Sequence, residues 1–258
     1  MFTIVYPMFE RGRILKKELV LALRDYSFGF ARLQFSDYTD GIISGCDISV
    51  TGERLTVAPG IIKFNKFVYM MAEPQSVYFE PTEQTVCVKV KFSTTSAAST
   101  DFVSYSGNVV LDDNTELGRD EIEICRFKLK RGSKLRYEYT GYEDMQTEYD
   151  TINLTHATWA GPERSGTAMP LLRQFAREAI KCNLIEAWDI SFCNQCIAGE
   201  MVHRSVIEAY LTWHDEDISG EETNLEIYNL LGNVLSKLKR NAGKKQREGR
   251  KRPKIDVD

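Results

Sequence analysis

Apolar residues recur at three- and four-residue intervals through RILKKELVLALRDYSFGFARLQFS, residues 13–36. Leu15, Leu19, Ala22, Tyr26, Phe30 and Leu33 fall on one face, which predicts an amphipathic helix with a weak point at Gly29. Such a helix packs on a core or stands out as an arm that docks on a neighbouring subunit. From residue 40 the apolar runs shorten and turn residues cut them, the pattern of an antiparallel sheet. Residues 42–50 and 54–58 read as strands joined around Thr51-Gly52-Glu53. Pro59-Gly60 fits the central pair of a type II turn: Pro presets φ, and Gly tolerates the positive φ that follows. Residues 61–64 and 67–71 flank Asn65-Lys66, a two-residue hairpin in which Asn accepts a left-handed conformation and Lys does so with strain.

In TVCVKVKF, Val86, Val88, Val90 and Phe92 share one face and Cys87, Lys89 and Lys91 the other, as in a half-buried strand. EIEICRFKLKR alternates through Ile122 and Ile124 and resumes out of phase at Phe127 and Leu129, so a β-bulge is expected near Cys125-Arg126. With residues 101–111 and 134–139, the stretch 40–140 holds about eight or nine short strands, which predicts an antiparallel sandwich or barrel. After about residue 148 the period turns helical again. Residues 168–182, 185–198, 203–213 and 224–239 predict four helices, with Gly199 stopping the second. Between sheet and helices, YDTINLTHATWAGPERSG reads as extended and then irregular. The expected fold is therefore α+β. It comprises an N-terminal helical arm (1–36), an antiparallel β-module (37–148), a small helical domain (149–242) and a disordered basic tail (243–258) with almost no apolar residue.

Composition changes this picture in two respects. No apolar run approaches the ~18–20 residues of a membrane span, and the start MFTIVYPMFERGRILKK lacks the layout of a signal peptide. The net charge of −4 is also uneven. Residues 237–254 hold ten Lys/Arg against one acid, Glu248; setting these and Asp256 and Asp258 aside leaves 23 basic and 34 acidic residues, or −11. An acidic body carries a basic tail, in which Lys244, Lys245, Arg247, Arg250, Lys251 and Arg252 are candidates for contact with a polyanion or an acidic neighbour. Nucleic acid enters only by this route.

Candidate chemistry is sparse. Cys193-x-x-Cys196, with Cys182 and His203 nearby, offers zinc-ligand atoms. The pair lies in a predicted helix, however, and the other two lack a tight pair spacing, so buried thiols are expected and no metal. The six cysteines are scattered, three of them (Cys46, Cys87 and Cys125) inside apolar runs, which predicts free thiols and synthesis in a reducing cytoplasm. The three histidines accompany no nucleophile elbow, zinc helix or phosphate loop. His214 beside Asp215, Glu216 and Asp217 reads as a solvated acidic loop. No catalytic residue and no cofactor are expected.

DYTDGIISGCDISV followed by LTVAPGIIKFNKFVYMM resembles tail-module proteins of bacterial prophages and related contractile particles. The likeness continues through EIEICRFKLKRGSKLR, YDTINLTHATWA, LLRQFAREAI and VIEAYL, covering roughly residues 10–213; Lys66 stands where related hairpins often carry glycine. Members sometimes bear a helicase label, for which this chain lacks the Gly-x-x-x-x-Gly-Lys-[Ser/Thr] loop. The resemblance implies a non-enzymatic structural component of a phage tail or tail-like particle, at the baseplate or its joint with the fibres. It would be made in the host cytoplasm, and its partners would be other baseplate proteins and copies of itself. The alternatives are a carbohydrate-binding module using exposed rings, with Tyr69, Tyr78, Tyr105 and Tyr137 as candidates, or an enzyme acting on cell-wall polymer.

Overall fold

The computed structural model describes residues 11–12, 14, 16–93, 97–98, 103–182, 184, 186–199 and 201–249. Helix α1 (Lys17–Gln34) runs unbroken through Gly29 and opens the chain's regular structure. Strands β1 (Gly41–Gly45), β2 (Ile48–Thr51), β3 (Arg54–Val57), β4 (Gly60–Phe64), β5 (Phe67–Met71) and β6 (Gln75–Tyr78) follow at close intervals. Next come β7 (Thr85–Phe92), the ribbon strands β8 (Ala97–Ala98) and β9 (Val103–Ser104), β10 (Gly107–Asp112) and β11 (Glu121–Lys128). All the sheets are antiparallel, in the orders β1-β4-β5, β2-β3-β6 and β10-β7-β11, with β8-β9 a separate pair. Helices α2 (Met169–Ile180), α3 (Ala187–Ala198), α4 (Arg204–Trp213) and α5 (Asn224–Gly249) complete an α+β fold.

The expected 42–50 strand is two strands, because Gly45 and Cys46 both take positive φ (68° and 59°) and break the pleat between β1 and β2. The bulge falls between Glu123 and Cys125, within two residues of its expected place. Residues 134–139 form no strand and make a single bridge, Arg136 to Thr151. Strand β7 is not half-buried: Cys87 and Lys89 are as inaccessible as Val88. The reason is electrostatic. The Lys89 ammonium lies 3.0 Å from Glu121 Oε2, 3.5 Å from Asp112 Oδ2 and 2.7 Å from the Glu116 carbonyl, so neighbouring acids cover the outer face of the sheet.

Two cores form. One is built from the sheets around Leu55, Val88, Ile122 and Phe127; the other is built from the helices around Leu172, Phe175, Phe192, Tyr210 and Leu231. The irregular stretch 150–166 is a strap between them. The Ile42 amide donates to the Thr158 carbonyl at 2.8 Å, and the Ala160 amide donates back to Ile42 at 2.9 Å. On the other side the Thr158 amide donates to Glu123 (2.8 Å), and Arg126 and Asn153 exchange backbone bonds. The strap thus joins β1 to β11, while its Leu154 and Trp159 pack against both cores. Helix α5 continues to Gly249, ten residues past its expected end at Lys239 and into the stretch read as disordered tail. Lys, Gln, Arg and Glu, all good helix formers, carry it past Gly243.

Candidate assembly surface

Both cores are closed, yet α1 buries none of its residues. Val20, Leu23, Tyr26, Phe28, Phe30 and Leu33 are each 45–73 % exposed. The helix touches the body along β5, which among the described residues is an edge strand bonded to β4. Met70 on this strand is 76 % exposed, and Phe67 stacks on Tyr105 with centroids 4.4 Å apart, both rings part-exposed. Leu23, Tyr26, Phe30 and Leu33 make one exposed apolar face of the helix, with Phe28 on the opposite face. Strand β5 adds exposed apolar side chains nearby, Phe67 on one face of the strand and Met70 on the other, together more than the single scattered apolar residues that any protein exposes. The sequence pattern predicts the helix; it gives no sign that the helix lies against β5, because that contact is made by tertiary packing.

The turn residues serve differently from expectation. Gly60 does not have positive φ, so Pro59-Gly60 is not a type II turn. Gly60 instead starts β4 opposite Gly45, where a Cβ would lie 2.6 Å from the Cys46 nitrogen and 2.8 Å from the Ser44 oxygen. Glycine is required by close approach, and Pro59 accepts a bond from the Cys46 amide at 3.2 Å. In the β4–β5 hairpin Asn65 takes φ +54° while Lys66 stays out of the left-handed region. The loop meets the requirement of a II′ connection and spares Lys66 the strain. Lys244, Lys245 and Arg247 lie on the last turns of α5; Arg250, Lys251 and Arg252 lie outside the described residues.

Cys193 and Cys196 sit on α3, both buried, and burial pushes each thiol up to about 12. Cys46 and Cys87 are pushed up to about 11 for the same reason. Thiols held this firmly protonated are poor nucleophiles. His214 does not stand in a solvated loop: its Nε2 is 2.8 Å from Asp189 Oδ1, a buried carboxylate that also accepts from Tyr210 Oη at 2.8 Å. His203 caps α4, its Nδ1 accepting from the Ser205 amide. Among the described residues no group of three or more His, Cys, Asp or Glu side chains converges as a metal site.

A recess of about 180 Å³ lies between the β1–β2 link and the strap. Its described lining includes Cys46, Asp47, Tyr137 and Trp159, with Asp47 the one carboxylate, so it lacks the pair of acids that glycoside cleavage needs. The ring candidates do not form a platform. Tyr69 is half-buried against Phe92 (4.8 Å), Tyr105 belongs to the β5 patch, and Tyr137 lines the recess. Tyr78, at 75 %, is the freely exposed one of the four.

Several carboxylates are held below their ordinary range by ion pairs and hydrogen bonds, Asp112 and Asp144 furthest of all. The Lys91 ammonium, with help from the Asn114 amide, holds Asp112 down at about 2; the Arg136 guanidinium, 2.7 Å away, holds Asp144 at about 2. Each folded value lies below the ordinary 3.8, so the stability they contribute is present above that value and is lost as pH falls toward 2. Thermal unfolding measured across this window should show a steep fall, and Asp144→Asn should flatten it. A fall of unchanged steepness in that variant would remove Asp144 from the account.

No family model and no curated protein matches the chain. Among solved structures it is similar to TssK, at 7 % identity and a TM-score of 0.39, over 93 % of this chain and 69 % of that one. It is also similar to a chain of the TssK-TssF-TssG baseplate subcomplex of the type VI secretion system. There the identity is 8 % and the TM-score 0.36, over 92 % of this chain and 100 % of that one. At those scores the likeness does not show a shared fold. No helix among the described residues is long and apolar enough to cross a membrane.

Proposed function

We propose that this protein is a structural, non-enzymatic component of a phage tail or tail-like contractile particle, at the baseplate or its joint with the fibres. The observation that carries the reading is α1: a helix with an apolar face that belongs to neither core, touches the body along β5 and fully buries none of its own residues. Exposed apolar surface of this extent is costly in an isolated protein and is accounted for by assembly. The resemblance of residues 10–213 to prophage tail modules supplies the kind of assembly. In this reading the basic end of α5 adds a contact to an acidic neighbour.

The experiment is deletion of the chain's gene in a cell that produces the particles. Electron micrographs should show tube and sheath without complete baseplates or fibres; particles of normal appearance would overturn the reading. A carbohydrate-binding role would rest on Tyr78, with Tyr105 and Tyr137 less exposed and placed apart from it, one in the β5 patch and one lining the recess.

A further inference from the structure

Leu19, Leu23, Tyr26, Phe30 and Leu33 follow one another at spacings of four, three, four and three. That is the a/d alternation of a heptad, the pattern of a helix whose seam faces another helix. The positions flanking the seam (Val20, Ala22, Ser27, Gly29 and Gln34) carry no charge, while Arg24, Asp25 and Arg32 lie on the far side together with Phe28, which stands outside the seam. We propose that the α1 seam and the adjoining β5 edge are the interface between copies of this chain. The inference deepens the assembly reading by naming one of the partners.

Three features favour a second copy as the occupant. A heptad seam is self-complementary, since the same residues fill the same layers in every copy, and symmetric closure brings identical patches together. Electrostatics points the same way. The body is acidic, so copies meeting through their charged surfaces would repel, and the seam, its flanks and β5 (FVYMM) are uncharged. The area is also adequate. Tyr26, Phe30, Phe67 and Tyr105 are 55, 59, 42 and 41 % exposed. With about 150–250 Å² per aromatic side chain, they leave roughly 300–500 Å² of ring surface bare. Leu23, Leu33 and Met70 bring the surface toward the ~800 Å² that each partner contributes to a stable interface. The outer edge of β5, unpaired among the described residues and free of proline and charge, would otherwise be an aggregation site.

The test is light scattering after size exclusion, with the full chain at low to high micromolar concentration. The wild-type chain is expected at a whole-number multiple of the chain mass. The double variant Leu23→Glu/Phe30→Glu is expected to associate at least about tenfold more weakly. Both side chains already face water, so its circular dichroism and melting temperature should be unchanged. Arg24→Glu/Arg32→Glu, on the far side of the helix, should keep the wild-type mass. A wild-type chain that stays monomeric throughout would overturn the proposal, as would a seam variant that keeps the oligomer's mass. A monomeric chain that floats with phosphatidylglycerol–phosphatidylcholine vesicles would overturn it in favour of a membrane surface. A monomeric chain that is nonetheless incorporated into particles would overturn self-association alone and leave the assembly reading standing.

Discussion

Phe175→Ala is expected to destabilise the chain by about 3–5 kcal/mol and to lower its melting temperature by roughly 10 °C. Phe175 is fully buried and sets its ring edge-on against Tyr142 (5.9 Å), Phe192 (5.8 Å) and Tyr210 (6.0 Å). The cavity left by its removal cannot easily close. Tyr210 is tied to Asp189, and Tyr142 donates to the Tyr228 carbonyl at 3.0 Å while stacking on the Tyr228 ring at 4.5 Å. Rings fixed at their polar ends cannot slide inward, so the cost should fall in the upper part of the range. A melting temperature lowered by less than about 2 °C would mean that α2, α3 and α4 do not share this core.

Gly41→Ala should cost about 2–5 kcal/mol through a different mechanism. Gly41 has φ +146°, and an added Cβ would stand 2.6 Å from the Ala160 nitrogen, 2.6 Å from the Trp159 carbonyl carbon and 2.8 Å from the Thr158 oxygen. All three are backbone atoms of the strap, beside the paired bonds between Ile42 and residues 158 and 160. Relief requires the strap to leave β1, which uncouples the sheet core from the helical core. Hydrogen exchange at Ile42 and Ala160 should accelerate well before global unfolding. Unchanged protection of those two amides would contradict the role given to the strap.

How legible these features were depended on how local they are. Helix α1, the β4–β5 hairpin and helices α2 to α4 were readable because their periods and caps lie within a dozen residues of each other. The strap was not readable. Thr39 and Gly161, which bond backbone to backbone, are separated by more than a hundred residues, and single bridges leave no alternation in the sequence. Gly60 was recognised as a position needing glycine, but for a φ reason, whereas the actual reason, the backbone at Ser44 and Cys46, is visible only in the folded chain. Lys89 read as solvent-facing because its partners Asp112 and Glu121 arrive from other strands. The stripe on α1 is readable as apolar from the sequence; that the described residues leave it exposed is not.

The most direct test of the proposed structural role is quantitative mass spectrometry of purified tail particles. The chain is expected in the particle fraction at a fixed, small whole-number ratio to the other baseplate subunits, and it should remain there after a high-salt wash because its principal contact is apolar. Its absence from complete particles, while it is abundant in the lysate that made them, would contradict that role.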